Sequence, residues 1–376
     1  MIDPTDFSQA SGIVQTRLSD FGMTHWSEPP IDLKKLLEPF RSGSELPVSY
    51  YEDRCLRCGH QLSGFGIREN NIEVRKKRYC PQCKKFTTLG FNCGAHVPVW
   101  VYNRVLFSTA LSYKNVDIQK EVKLASRDKG PPSRISVPTI NRIRNSSLNI
   151  LNPFEPLLLR YLATKSVGGT WCMDDRYHDL PFDPSLFPEK VLDPRKGNPH
   201  MYPTIVIHEK TGFGFSALVS KHHDKRIAMH ALFLAMDRTG TRPAPLKIDY
   251  AKGLYAGALS LLSPEEILRI NKEEDFAFNN AVERWFSDYG QRHNKHHCQY
   301  KRPWTQEASL NIYRWYRNCI WPHEKTGKTP AETLGLALPR KINNEIDFIP
   351  LLDFAYRLTN FVQSETALAQ ARVRSL

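Results

Sequence analysis

Three acidic residues stand where they could act together on a phosphodiester bond. Asp174 and Asp249 each end a short apolar run, and Glu283 lies in a helical pattern that starts near Asn279. These contexts predict two strand ends and a helix that present carboxylates to a shared pair of divalent metal ions. Two such ions, about 3.5–4 Å apart, activate a water or 3′-hydroxyl nucleophile and stabilise the leaving oxygen. Magnesium keeps several waters when bound, so three carboxylates suffice.

The local contexts carry this prediction, because the spacing of the acids is weak evidence. Asp249 and Glu283 stand 34 positions apart in a chain with 39 acidic residues, so such a separation arises easily by chance. Asp175 and Asp179 are rival metal ligands, although acids that follow a strand end are more often solvated or structural.

The elements that must position these acids form a recognisable series. Strands are predicted at residues 170–174, 204–208, 212–220 and 246–249, and an amphipathic helix at 224–237. Lys210 to Gly212 provides the turn between the second and third strands. The order of strand, hairpin, helix, strand and helices is that of the ribonuclease H-like fold, a mixed sheet with flanking helices.

Two Cys-x-x-Cys pairs predict a structural zinc site. The pairs are Cys55 with Cys58 and Cys80 with Cys83, and 21 residues separate them. Four thiolates in this arrangement complete tetrahedral zinc, and Gly59 permits the tight turn of a knuckle. A redox Cys-x-x-Cys would not need a second copy.

The segment between the two pairs supports a zinc ribbon. Residues 75–79 are basic and aromatic and are typical of a ribbon strand, in a module too small to hold a core without its metal. Cys93 and His96 remain alternative ligands, but Cys93 has no paired thiol and fits a small buried hydrophobe better.

Three helices are predicted after the ribbon, over residues 97–113, 117–125 and 137–146. The third begins with Pro138 in its first turn, as suits a helix start. The three fit a helix-turn-helix unit whose last helix enters a DNA groove, although a short amphipathic helix is often plain core. The expected contacts to DNA come from Arg142, Arg144 and Asn145.

The charge of the chain favours a polyanionic partner. Its 52 Lys and Arg against 39 Asp and Glu give a formal net charge of +13. Cationic surface gains affinity for DNA by releasing phosphate counterions. Further phosphate contacts are expected in the helix of Glu283, from Arg284, Arg292, His293 and Lys295.

No apolar stretch reaches the ~18 residues of a membrane span, and the N-terminus lacks a signal pattern. The sequence therefore predicts a cytoplasmic, nucleoid-associated protein without a membrane partner.

Four segments in the correct order resemble insertion-sequence transposases of the DDE type, which are related to retroviral integrases. The segments are Trp171–Asp175, Ile248–Asp249 with Tyr255–Ala256, Asn279–Arg284, and a tail with Trp315–Asn318, Pro322–His323 and Gly327–Glu332. The separation of the last two acids also matches that family. Position 175 is Asp where many relatives have Glu, which bears on the subfamily.

The resemblance implies roles and partners. It implies catalytic and metal-binding roles for Asp174, Asp249 and Glu283, two Mg²⁺ or Mn²⁺ ions, and one structural Zn²⁺ in the ribbon. The DNA partners would be the terminal inverted repeats of a mobile element and a target. Because two DNA ends must be brought together, a homo-oligomer is expected.

The predicted domains are an N-terminal arm (1–50), a zinc ribbon (51–96), a helix-turn-helix unit (97–150), a catalytic domain (165–338) and a helical tail (339–376). Two rivals remain open. A regulator derived from a transposase would keep the ribbon, helices and charge without catalysis, and a ribonuclease H-like nuclease would cut without joining.

Overall fold

A computed structural model describes residues 31–41, 60–70, 73–88, 97–130, 132–176, 178–179, 200–270, 280–295, 302–324, 326–339, 341–342 and 345–374. The described residues divide into two compact units. One unit contains residues 107–118 and 165–334, and the other contains residues 31–106, 119–164 and 335–374. Within the described part of the chain, no helix is long and apolar enough to cross a membrane.

The first unit is mixed α/β and is built on a six-stranded mixed sheet flanked by helices. Its strands are β4 (Gly169–Asp175), β5 (His178–Asp179), β6 (His200–His208), β7 (Gly214–Ser220), β8 (Pro243–Ile248) and β9 (Ile267–Arg269). The order across the sheet is β7-β6-β4-β8-β9. The short β5 also pairs with β6, on the same side as β4 and beyond the end of β4. β6 is antiparallel to both neighbours, whereas β4, β8 and β9 are parallel. This architecture is compatible with a ribonuclease H-like fold.

The helices of this unit follow the strands along the chain. They are α5 (Lys225–Thr239), α6 (Lys252–Ala258), α7 (Asn280–Lys295), α8 (Pro303–Trp315) and α9 (Pro330–Thr333), and a π-helical turn (Tyr316–Ile320) continues α8. The side chain of Asp224 caps α5 by accepting from the N–H groups of Arg226 and Ile227, and Gly240 ends the helix with φ of 67°. Buried alanines of α5 face the sheet, and the hydroxyl of Ser216 on β7 donates to Ala231 O at 2.7 Å.

The second unit contains α1 (Leu33–Arg41) and the antiparallel strands β1 (Ser63–Asn70), β2 (Glu73–Cys80) and β3 (Lys85–Thr88). It also contains α4 (Val137–Leu157), β10 (Lys341–Ile342), β11 (Glu345–Ile346) and α10 (Ile349–Arg374). Two further helices, α2 (Val99–Ala110) and α3 (Asn115–Lys129), have residues in both units. α10 packs against α4, with Phe154 and Phe354 edge to face at 5.6 Å.

Three helices in the N-terminal half differ from what the sequence predicted. The expected arm contains a helix at Leu33–Arg41, whose Leu33 and Leu37 are buried. The second predicted helix, over residues 117–125, is longer and spans Asn115–Lys129. The third predicted helix does not stop at Ser146, because α4 continues to Leu157 and a π-helical turn carries it to Leu162.

The contact between α5 and α6 gives a stability prediction. A Cβ on Gly257 would lie 2.6 Å from both Ala228 Cβ and the carbonyl oxygen of Lys225, so the two helices could not keep their separation. Gly257→Ala is expected to lower the free energy of unfolding by about 1–3 kcal/mol, the usual cost of overpacking. Gly253→Ala is the matched control, because its Cβ would have no neighbour closer than 3.6 Å. Equal urea midpoints for the two variants would contradict this packing argument.

Candidate active site

The register of the sheet places Asp174 and Asp249 beside each other. In the parallel pair of β4 and β8, Trp171 lies opposite Leu246 and Cys172 opposite Lys247. Two more residues along both strands bring the chain to Asp174 and Asp249, at the carboxyl ends of adjacent parallel strands. Residues that lie opposite each other on neighbouring strands point to the same face of the sheet. The two aspartates therefore share one face at this edge.

Local hydrogen bonds fix the backbone around both aspartates. Asp174 is 5% exposed, and its Oδ1 accepts from the backbone N–H of Asp175 at 2.9 Å. Asp249 is half-buried, and its Oδ1 accepts from the N–H of Ala251 at 2.9 Å, in the turn that leads into α6. Each carboxylate therefore has one oxygen bonded to a nearby backbone N–H of its own chain, and this bond restricts its orientation.

Helix α7 carries Glu283 and packs against β4 and β6. The buried stripe of this helix is Val282, Trp285, Phe286 and Tyr289. Arg176, just beyond β4, donates from Nη1 to the carbonyl oxygen of Phe286 at 3.2 Å, and a Cβ on Gly290 would lie 2.7 Å from the same nitrogen. Positions 283, 286 and 290 follow one helical stripe, so Glu283 lies one turn from the contact with the end of β4.

The structure does not gather all three acids into one cluster. Glu283 is exposed in the first turn of α7, while Asp174 is buried. Among the described residues, no group of three or more His, Cys, Asp or Glu side chains is arranged to hold a metal ion. The fold thus brings together two strand ends and the helix, and the joint metal-binding role of the three acids stays a prediction.

Asp175 has a different environment from Asp174. Its Oδ2 lies 2.7 Å from Nε2 of His223, in the loop between β7 and α5. The ring of His223 also stacks on Tyr202 of β6 at 5.0 Å. Asp175 therefore ties this loop to the end of β4, which fits the structural role that the sequence favoured over metal binding. The side chain of Asp179 is not among those that the structure describes.

A half-buried ion pair lies further from this edge of the sheet. Lys247 of β8 pairs with Glu209, which follows β6. Between these strands lies Cys172, and burial, with a smaller effect of Glu209, raises the pKa of its thiol to about 12. Cys172 is therefore a neutral core residue rather than a nucleophile.

Arg284 lines a pocket of about 580 Å³ within the first unit. Trp321, His323 and Lys328 also line it, together with the turn between β6 and β7. Two lining acids are already paired: Glu209 with Lys247, and Asp288 with Arg317 at 3.0 Å. Glu324 is a third lining acid, and the lining cations Lys210, Arg284 and Lys328 outnumber it, which favours a phosphate contact by Arg284. The side chains of Arg292, His293 and Lys295 lie outside the described residues.

The tail that resembles transposase endings has a clear structural role. Asn318 and the fully buried Arg314 both bind Gly214 at the start of β7, where Asn318 accepts from its N–H and donates to its carbonyl oxygen, each at 2.8 Å. Thr329 and Glu332 form a reciprocal capping box around Pro330, which starts α9. These contacts stabilise the unit.

Helix α4, which was expected to enter a DNA groove, exposes only some of the side chains predicted to contact DNA. Arg142 and Asn145 are exposed on α4, but Arg144 is 2% exposed. Its guanidinium donates to Oδ1 of Asn141 at 3.4 Å. A groove contact needs an exposed side chain, so Arg144 is corrected to a buried structural residue.

The second Cys-x-x-Cys pair forms a tight turn between β2 and β3. The N–H of Cys83 donates to Sγ of Cys80 at 3.3 Å, and Lys84 closes the turn with φ of 53°. Cys80 is buried with Leu62, and Cys83 packs on both. Cys55 and Cys58 lie outside the described residues, so the four-thiolate site remains a prediction.

A half-buried acid in the first unit, Glu307, predicts a pH effect on stability. Glu307 of α8 accepts from the N–H of Val219 at 2.9 Å, and burial raises its pKa to about 7 despite this bond and nearby Arg238. Because the folded pKa lies above the unfolded value, the stabilisation is complete at low pH and is lost as the pH rises through about 7. Relative to Glu307→Gln, wild type should lose on the order of 2 kcal/mol between pH 5 and 8. Urea unfolding of both proteins across this range measures the difference, and a constant difference would refute the assignment.

Sequence reasoning missed several residues around the aspartates. Arg176, His223 and the Glu209–Lys247 pair become visible only when strands and loops are paired in space. β9 was not predicted, since three residues give too short a pattern to detect.

Comparison with solved structures yields only distant likenesses. No family model matches the chain, and no curated protein matches it. Among solved structures, it is similar to the cryo-EM structure of a simian T-cell lymphotropic virus intasome in complex with the PP2A regulatory subunit B56 gamma. The identity is 14% and the TM-score 0.32, over 60% of this chain and 76% of that chain. A likeness this distant carries no argument about function.

Proposed function

We propose that this protein is a DDE-type transposase, a polynucleotidyl transferase that binds the ends of a mobile DNA element and joins them to target DNA. The observation that carries the proposal is the placement of Asp174 and Asp249 at neighbouring carboxyl ends of β4 and β8. The sequence segments that resemble insertion-sequence transposases surround these acids. The strand order, with a hairpin after β4 and a helical return to β8, agrees with the ribonuclease H-like fold of that class.

The donor set fits a hard divalent cation. Asp174, Asp249 and Glu283 offer carboxylate oxygens only, which suits Mg²⁺ or Mn²⁺. Two of the three share one edge of the sheet, and Glu283 lies on a helix packed against the same strand. Ionised carboxylates repel one another, so bound cations are what would draw Glu283 toward the aspartates. When bound, the cations would supply a deprotonated nucleophile and charge stabilisation on the leaving oxygen.

The proposed reaction has two steps of the same kind. Water attacks the phosphorus at the element end, the bond from phosphorus to the 3′-oxygen breaks, and that oxygen leaves as a 3′-hydroxyl. This hydroxyl then attacks a phosphodiester of the target, forms a new ester, and releases a target 3′-hydroxyl. The chain contributes the carboxylates and, through Arg284, a cation beside Glu283 that can hold a phosphate. No covalent enzyme intermediate is required.

Other parts of the chain would recognise the DNA ends. We propose that the ribbon, with one Zn²⁺ bound by Cys55, Cys58, Cys80 and Cys83, and the exposed Arg142 and Asn145 of α4 contact the terminal repeats. A homo-oligomer would hold two ends together.

A cleavage and joining assay tests this function. The DNA carries the sequences that flank the gene, and the reaction contains Mg²⁺ or Mn²⁺. Metal-dependent release of a 3′-hydroxyl followed by joining is expected. Cleavage without joining would favour a nuclease, and binding without cleavage would favour a regulator; either result would reject the transposase.

A further inference from the structure

Beyond the three acids, the edge of the sheet carries an aromatic and cationic cluster. β8 and β9 are parallel, and Ile248 lies opposite Arg269. Arg269 therefore ends the strand next to the one that Asp249 follows. The carboxyl ends of β4, β8 and β9 thus place Asp174, Asp249 and Arg269 along one edge of the sheet. Arg269 lies opposite Ile248, one residue before the position opposite Asp249, so it leaves this edge toward the other face of the sheet.

Two tyrosine rings hold the guanidinium of Arg269. Its Cζ lies 4.5 Å from the ring centroid of Tyr250 and 4.5 Å from that of Tyr255. Tyr250 follows Asp249 directly, and Tyr255 lies on α6. Stacking over aromatic rings orients an arginine while its N–H groups point outward from the edges of the plane, the geometry that binds a phosphate.

The exposed part of this cluster suits a nucleobase. Tyr250 is 53% exposed, although it is a large aromatic beside a strand end. Each base that stacks on an aromatic side chain gains about 1–3 kcal/mol with little dependence on sequence. The ring of Tyr250 could stack on a base while the guanidinium of Arg269 binds the phosphate, so together they could bind one nucleotide of a single strand. Paired bases are stacked on their neighbours and cannot use the ring.

We propose that Tyr250, Arg269 and Tyr255 form a platform that binds one unpaired nucleotide of the DNA strand beside Asp249. This inference rests on the proposed function, because the nucleotide would come from DNA bound at the candidate active site. The base stacks on Tyr250, Arg269 contacts the phosphate, and Tyr255 positions Arg269. Its role is to hold the strand at the edge where the phosphodiester would be attacked.

The test measures DNA binding without cleavage. A short fluorescein-labelled oligothymidylate and a duplex of the same length are titrated without added Mg²⁺ or Mn²⁺, at several NaCl concentrations. Tyr250→Ala should weaken single-strand binding by roughly 5- to 150-fold and leave duplex binding unchanged, while Tyr250→Phe should keep wild-type affinity. Arg269→Ala should lower the salt slope for the single strand by about 0.7, the value for one phosphate contact.

Phe233→Ala is the matched control, because Phe233 is also 53% exposed but lies on α5. Circular dichroism establishes that each variant is folded. The platform is rejected if Tyr250→Ala binds the single strand as tightly as Phe233→Ala does, or loses duplex and single-strand affinity equally. Selective loss in a protein that shows no metal-dependent cleavage would keep the platform and reject the transposase, so the two failures are distinguishable.

Discussion

Asp249→Asn is expected to lower metal-dependent strand cleavage by at least about 10³-fold while DNA binding is retained. The substitution exchanges an ionised oxygen ligand for a neutral amide of the same size, so metal affinity falls. The amide oxygen can still accept from the N–H of Ala251, which keeps the turn into α6 intact. Gel-based cleavage rates and electrophoretic mobility shifts on the same end DNA measure the two effects separately.

The control for this variant is Glu265→Gln, which removes an exposed carboxylate of the same unit away from the strand ends. It should cleave at the wild-type rate. Strand transfer retained by Asp249→Asn would reject the role assigned to Asp249, and equal losses in both variants would point to a general effect of charge.

Cys80→Ser should remove zinc from the protein and weaken binding to the element ends. Apparent binding free energies of structural zinc are ~10–16 kcal/mol, so the loss of one thiolate in four should cost roughly 10²–10³ in zinc affinity. The turn from Cys80 to Lys84 would also lose the sulfur that accepts from the N–H of Cys83. Zinc content by atomic absorption and end binding by mobility shift give the two readouts.

Cys93→Ser separates the two ligand assignments that the sequence leaves open. If Cys55, Cys58, Cys80 and Cys83 hold the ion, Cys93→Ser keeps its zinc. Loss of zinc from Cys93→Ser together with full zinc content in Cys80→Ser would reverse the assignment.

The sheet of the first unit was largely predictable from sequence. Apolar runs bounded by turn residues marked β4, β6, β7 and β8, and Gly212, with φ of 70°, marked the hairpin. The ends of β4 and β8 were predicted within a residue because an acid follows each apolar run. Such patterns are local, and local patterns are what a sequence displays.

Helix α4 shows where local rules fail. Proline disfavours a helix interior, yet the helix runs through Pro153 and Pro156 to Leu157. Buried residues around them, such as Phe154, favour continuation, and tertiary packing overrides the local cost of proline. Arg144 failed for the same reason, since helical periodicity does not reveal which partner covers a given face.

The surroundings of the aspartates depend on contacts between distant segments. Arg269 lies 20 positions beyond Asp249 and reaches Tyr250 only through the pairing of β8 with β9. Glu283 depends in the same way on how α7 packs on β4. Residue types and their local contexts therefore predicted the acids, while the cation and the rings beside them became visible only in the fold.

Anomalous diffraction from crystals soaked in Mn²⁺ would locate the metal ions directly. We expect manganese between the carboxylates of Asp174 and Asp249, with Glu283 drawn in as a further ligand. Manganese absent from this edge, or bound only elsewhere, in crystals of a protein that cleaves DNA would contradict the assignment of the three acids.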